Sequence, residues 1–183
     1  MYLSSPFRVI RTTPPASEPV SLQEAKLFLR IDHDTEDTAI SQMIKAAREV
    51  AEEIMSRSLI TQRWQLTLQD ALPACFTIPY GPVTQIISVS KVNADGSTTT
   101  LNSNIFTIGA DAETLACNAP QTATQFTMVY EAGMSANVAG VPASLRQNML
   151  QHIAYLYGFR TLGDAERIHD ITKLYAPWRK ISV

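Results

Sequence analysis

The sequence predicts a mainly α fold of the α+β class: a small helical bundle of about four helices, with a β-rich insertion between the second and third. Three observations predict it. Residues 1–63 hold eight basic and nine acidic side chains and residues 142–183 hold six and three, whereas residues 64–134 hold one base, Lys91, and five acids. Apolar residues recur every three or four positions toward the ends and every second position in the middle. Five of the seven glycines fall between residues 81 and 140, as a turn-rich sheet requires. The plan is therefore helix–helix, sheet, helix–helix, with the terminal helices packed together. Its boundaries are an extended N-terminal arm over 1–19, a first helical part over 20–62, the β-rich insertion over 63–136, a second helical part over 141–176 and a C-terminal tail over 177–183.

Each element has its own signal. Thr12-Thr13-Pro14-Pro15 and Glu18-Pro19 bias the arm toward extended backbone. Ser21-Leu22-Gln23-Glu24 is a capping box, with Val20 and Ala25 as a weak hydrophobic staple, and the short helix it opens ends near Arg30. Asp34 or Thr35 caps a second, longer helix. In it Ile40, Met43, Ile44, Ala47, Val50, Ala51 and Ile54 form one apolar stripe, with Arg48, Glu49, Glu52 and Glu53 mainly outside it. Trp64, Leu66 and Leu68 then alternate with Gln65, Thr67 and Gln69, and Phe76 alternates with Ile78 before the turn Tyr80-Gly81-Pro82. Ile87 and Val89 keep the two-residue period, and Asn93-Ala94-Asp95-Gly96 is a hairpin turn before Thr98–Leu101. Phe106 with Ile108, and Phe126 with Met128 and Tyr130, complete five or six short strands. Pro142 opens a third helix on Leu145, Met149, Ile153 and Leu156, ending near Gly158. A last helix from Gly163-Asp164 carries Ile168, Ile171 and Leu174 and stops at Pro177.

Composition excludes several functions. A formal charge of −2 over 183 residues argues against a general nucleic-acid binder. No apolar run approaches the ~20 residues of a membrane span, and the N-terminus lacks the apolar core of a secretory signal. Cys75 and Cys117 form no metal or redox motif, and nothing in the sequence supports a disulfide between them. The expectation is a soluble intracellular protein that needs no metal or cofactor to fold.

Chemistry-bearing residues are sparse. Asp32-His33-Asp34 offers metal ligands, but three consecutive residues do not easily converge on one ion, and acids near a helix N-terminus complement its dipole. His152 and His169 have no partner at ligand spacing. Neither cysteine has nearby cations to lower its pKa. Phosphate-binding glycine loops and a Gly-x-Ser-x-Gly elbow are absent, so the sequence predicts no catalytic site. The tail Trp178-Arg179-Lys180-Ile181-Ser182-Val183 is the exception: an aromatic and two cations are what interfaces favour. Trp178 either folds back as core or orders on a partner, and the second reading is preferred.

The ordered set Glu18-Pro19-Val20-Ser21-Leu22-Gln23-Glu24-Ala25-Lys26, Leu29-Arg30-Ile31-Asp32, Glu36-Asp37, Ala46-Ala47-Arg48, Leu59-Ile60-Thr61-Gln62 with Trp64, Pro79-Tyr80-Gly81-Pro82-Val83, Val129-Tyr130 with Ala132-Gly133, Val141-Pro142 and Tyr175-Ala176-Pro177-Trp178-Arg179 resembles the head–tail connector, or adaptor, proteins of tailed bacteriophages and gene transfer agents. The resemblance implies a non-enzymatic virion protein, made in the host cytoplasm and placed at the particle neck. It implies a homo-oligomeric, dodecameric ring beneath the portal protein, giving a stopper or tail-completion protein its docking surface while DNA passes through the lumen unbound. It also implies a C-terminal portal contact, assigned here to Tyr175, Pro177, Trp178, Arg179 and Lys180. The sequence departs from similar ones at Ser56, where glycine is usual, and at Tyr157-Gly158-Phe159-Arg160. The competing reading is a small DNA-binding or packaging-accessory protein that uses the basic C-terminal third; a hydrolase with an unrecognised site ranks third.

Overall fold

A computed structural model describes residues 7–119, 122–159 and 171–179. The chain divides into two compact units, one of Met1–Ala16 with Thr61–Met134, the other of Ser17–Ile60 with Ser135–Val183. Each unit is thus assembled from two separated stretches of chain.

The first unit is built on sheets. Strands β1 (Phe7–Thr13), β2 (Gln62–Ala71), β4 (Val83–Val92), β5 (Thr98–Leu101) and β8 (Thr122–Ala132) form an antiparallel sheet in the order β1-β2-β8-β4-β5. Strands β3 (Cys75–Thr77), β6 (Phe106–Ile108) and β7 (Thr114–Cys117) form a second sheet, β3-β7-β6. Alternation drives the packing. Trp64, Leu66 and Leu68 of β2 and Phe126, Met128 and Tyr130 of β8 point to one side and share a core with Phe76, Phe106 and Leu115 of the small sheet. Each such side chain contributes about 2 kcal/mol by leaving water. Trp64 stacks on Tyr80 at 4.1 Å, and Tyr130 Oη donates to Pro79 O at 2.6 Å. The register of β4 against β8 shifts between Ile86 and Ser88, so Val89 is buried while Ile87 stays 38% exposed and falls out of the predicted alternation.

The second unit holds α1 (Leu22–Leu29), α2 (Asp37–Met55) and α3 (Ala143–Gly158), with residues 171–175 helical. The capping box is present: Ser21 Oγ accepts from Glu24 N, and Glu24 Oε2 accepts from Ser21 N at 2.8 Å. Helix α2 is capped otherwise than predicted. Its N-cap is Glu36, without a side-chain cap bond; Asp34 accepts instead from Lys26, and Thr35 Oγ1 bonds His33 Nδ1. At its C-cap Ser56 takes the left-handed conformation, φ 54°, that glycine would adopt more readily. Ser135 N donates to Leu59 O at 3.3 Å and joins the two stretches of this unit.

The predicted helical bundle with an inserted sheet is not the fold. The protein is α+β with a substantial sheet component. Strands β2, β4 and β8 run to ten or eleven residues, as long as an average helix. The first element of the chain is itself a strand, β1, which lies at the edge of the large sheet ahead of any helix. The sheet therefore has a separate core of its own, and an N-terminal strand no helix-first plan allows for.

Candidate functional site

The C-terminal segment is seated by α3. Tyr175 is fully buried, and its hydroxyl bonds His152 Nδ1 at 3.1 Å with the rings edge to face. Asn148 Nδ2 donates to Leu174 O at 2.6 Å, a second tie between α3 and the end of the chain. Burial without a compensating charge pushes His152 down to about 4 and raises the Tyr175 hydroxyl well above its ordinary value. Beyond Tyr175 a single 3-10 turn, Ala176–Trp178, begins with Pro177 at its start and closes through Arg179 N to Ala176 O at 3.2 Å. Pro177 and Arg179 are exposed and Trp178 is half-buried.

Of the five residues predicted to meet a partner, the structure brings Pro177, Trp178 and Arg179 together at the surface. Tyr175 is core. Lys180 lies outside the described residues, as does His169.

A second locus lies along α1. Leu22, Leu27 and Ile31 wall an open groove of about 450 Å³, edged by Gln23, Lys26 and Asp37. Lys26 Nζ donates to Asp34 Oδ1 at 2.5 Å and to Asp37 Oδ1 at 2.7 Å. These bonds, Asp34 first, raise the Lys26 ammonium above its ordinary value and lower Asp34. The other polar tie of α1 is Glu24, held by the Ser21 backbone below the usual carboxylate range and paired with Arg146 of α3.

Sequence reasoning missed one buried site. Arg48 and Glu52, placed outside the apolar stripe of α2, are 1% and 2% exposed. Arg48 donates through Nε to Glu18 Oε2 at 2.7 Å and through Nη1 to Glu52 Oε2 at 3.0 Å, and Glu52 Oε1 accepts from Leu59 N at 2.9 Å. The opposite charges at a four-residue interval were a readable signal for the pair, though not for its burial. Val50, assigned to the stripe, is 38% exposed.

Asp32, His33 and Asp34 do not converge. Among the described residues no group of three or more His, Cys, Asp and Glu side chains could hold a metal, and no helix is long and apolar enough to cross a membrane. Cys117 is buried and Cys75 exposed, both as free thiols.

Residues 19–100 match the family model of phage gp6-like head–tail connector proteins. The chain is thus similar to head–tail connector proteins over that part of its length. The chain also shares its fold with chains of gene transfer agent particles. One, from the neck of an empty particle computed with C6 symmetry, is 21% identical over 96% of this chain and 97% of that one, with a TM-score of 0.79. Another, from the virion of a native particle, is 21% identical over 96% of each chain, with a TM-score of 0.80. A third, from a native neck computed with C12 symmetry, is 20% identical over 95% of this chain and 97% of that one, with a TM-score of 0.68. No curated protein matches the sequence.

Proposed function

We propose that the protein is a head–tail connector that closes into a ring beneath the portal after the genome is packaged and presents the stopper or tail with its docking surface. The observation that carries this reading is the similarity of fold, across 95–96% of the chain, to chains from necks computed with C6 and C12 symmetry. A ring needs head-to-tail contacts between unlike patches, and a subunit with a sheet unit and a helical unit offers them. The portal contact is assigned to the segment after Tyr175. With Tyr175 anchored on α3, Pro177, Trp178 and Arg179 are displayed outward from a fixed base, and Lys180 follows them in sequence. A mobile anchor would lose more entropy on docking.

DNA passing through such a ring must slide without sticking. Residues 64–134, with Lys91 their only base against five acids, suit a wall that does not bind phosphate. The test is co-sedimentation with the cognate portal, using full-length connector and a version ending at Ala176. Full-length protein is expected to bind to saturation at a fixed number of copies, and the shortened version is not. Absence of binding by both, together with a salt-dependent shift of duplex DNA, would move the DNA-binding reading to the front.

A further inference from the structure

We infer that Asn148 and His152 of α3 are positioning residues that hold the C-terminal segment in its docking shape, so that the segment meets its partner preformed; the inference rests on the portal contact proposed above and deepens it. The two residues stand four apart and so share one face of α3. They hold two consecutive residues in two different ways. Asn148 Nδ2 donates to the backbone carbonyl of Leu174 at 2.6 Å, and His152 Nδ1 bonds the side-chain hydroxyl of Tyr175 at 3.1 Å. A single tie would leave the chain free to pivot about it. Two ties on neighbouring residues, one to backbone and one to side chain, fix the direction in which the chain leaves α3.

Little freedom remains beyond that point. Tyr175 is the N-cap of the turn Ala176–Trp178, the ring of Pro177 fixes its own φ, and Arg179 N closes the turn on Ala176 O at 3.2 Å. The turn also lies against α2, with Trp178 half-buried. A segment that ordered only on its partner, as the sequence pointed to, would need none of these ties. The choice of residues on α3 argues the same way. His152 is buried beside Met149 and Ile153, where an apolar side chain would pack without the cost of burying an imidazole. Its bond to Tyr175 offsets that cost and acts on the segment. Holding the docking shape tightens binding by the fraction of molecules that would otherwise be in another shape.

The test combines hydrogen exchange of the full-length protein with its affinity for the cognate portal. Tyr175→Phe and Asn148→Leu keep the size of the side chain and remove one tie each. The pair is expected to speed exchange of the amides of residues 174–179 by about tenfold, leave α2 and the rest of α3 unchanged, and weaken portal binding by about tenfold. His152→Gln, which can still bond the Tyr175 hydroxyl, is expected to bind within about threefold of the wild type. Melting temperatures within ~4 °C of the wild type establish that the variants are folded. Wild-type portal affinity in the paired variant would overturn the inference, because the segment would then order on the portal without help from α3. Exchange that rose equally along α3 would overturn it too, by making both residues parts of the core. A His152→Gln variant as weak as the pair would overturn the bond to Tyr175 as the holding contact. If the version ending at Ala176 binds the portal as well as the full chain does, the portal contact itself falls, and the inference with it.

Discussion

Arg48 is buried between Glu18 and Glu52, and Glu52 in turn holds Leu59 N. Arg48→Met is expected to lower unfolding free energy by about 3 kcal/mol, because it leaves a carboxylate buried without its counter-charge. Adding Glu52→Gln should recover part of that loss, since the amide oxygen still accepts from Leu59; urea unfolding of both variants checks it. His152 makes the protein pH-sensitive. Its folded pKa of about 4 lies below the ordinary value of 6.5, so the unfolded chain binds more protons between them. Its contribution is therefore complete above pH 6.5 and is lost as pH falls toward 4, roughly 3 kcal/mol over the whole window. His152→Gln should flatten the fall in melting temperature between pH 6.5 and 5. Neither site was visible as buried in the sequence, because burial of a polar side chain is decided by the element that covers it. The capping box was visible, because both its partners lie within four residues.

At the scale of the element, Ser56 ends the 19-residue α2 at φ 54°. A side chain in that conformation costs about 1 kcal/mol that glycine avoids, so Ser56→Gly is expected to raise the melting temperature by about 2–4 °C. Gly140 is constrained by space: a Cβ there would lie 2.2 Å from Ser135 Oγ. Gly140→Ala is expected to destabilise by about 2 kcal/mol, and Ser135→Gly in the same chain to restore much of it, as thermal unfolding would report. Helices α1 and α3 and the strands carrying Trp64 and Phe126 were legible, since their period is local and strong. Strand β1 was not. Its seven residues alternate weakly around Val9, and its partner β2 begins about fifty residues later, so only the folded sheet defines it. Strand β7 was missed for the same reason, with four residues between partners from two other strands.

For the whole molecule, the proposed portal contact predicts that Trp178→Ala with Arg179→Ala abolishes saturable binding to the portal while leaving the melting temperature within ~2 °C. Co-sedimentation alongside thermal unfolding separates the two effects. The candidate segment was legible in part. An aromatic between proline and arginine marks a candidate segment with two readings, core or partner contact, whereas Tyr175 could be assigned to the core only once His152 was seen against it. The balance of the fold was misjudged for a related reason: helical stripes announce themselves over long windows, while a sheet's extent depends on which distant strands pair.

The interleaving of the two units has a mechanical consequence. The chain passes from one to the other after Ala16, after Ile60 and after Met134, so three covalent links join them. A pull on either unit is shared among three peptide tethers, and one cut at any of them leaves the two halves attached. The same threading forbids completion during synthesis of one unit before the other has begun: β1 waits for β2 and α1 waits for α3, and the sheet unit's last stretch ends at Met134, ahead of the helical unit's.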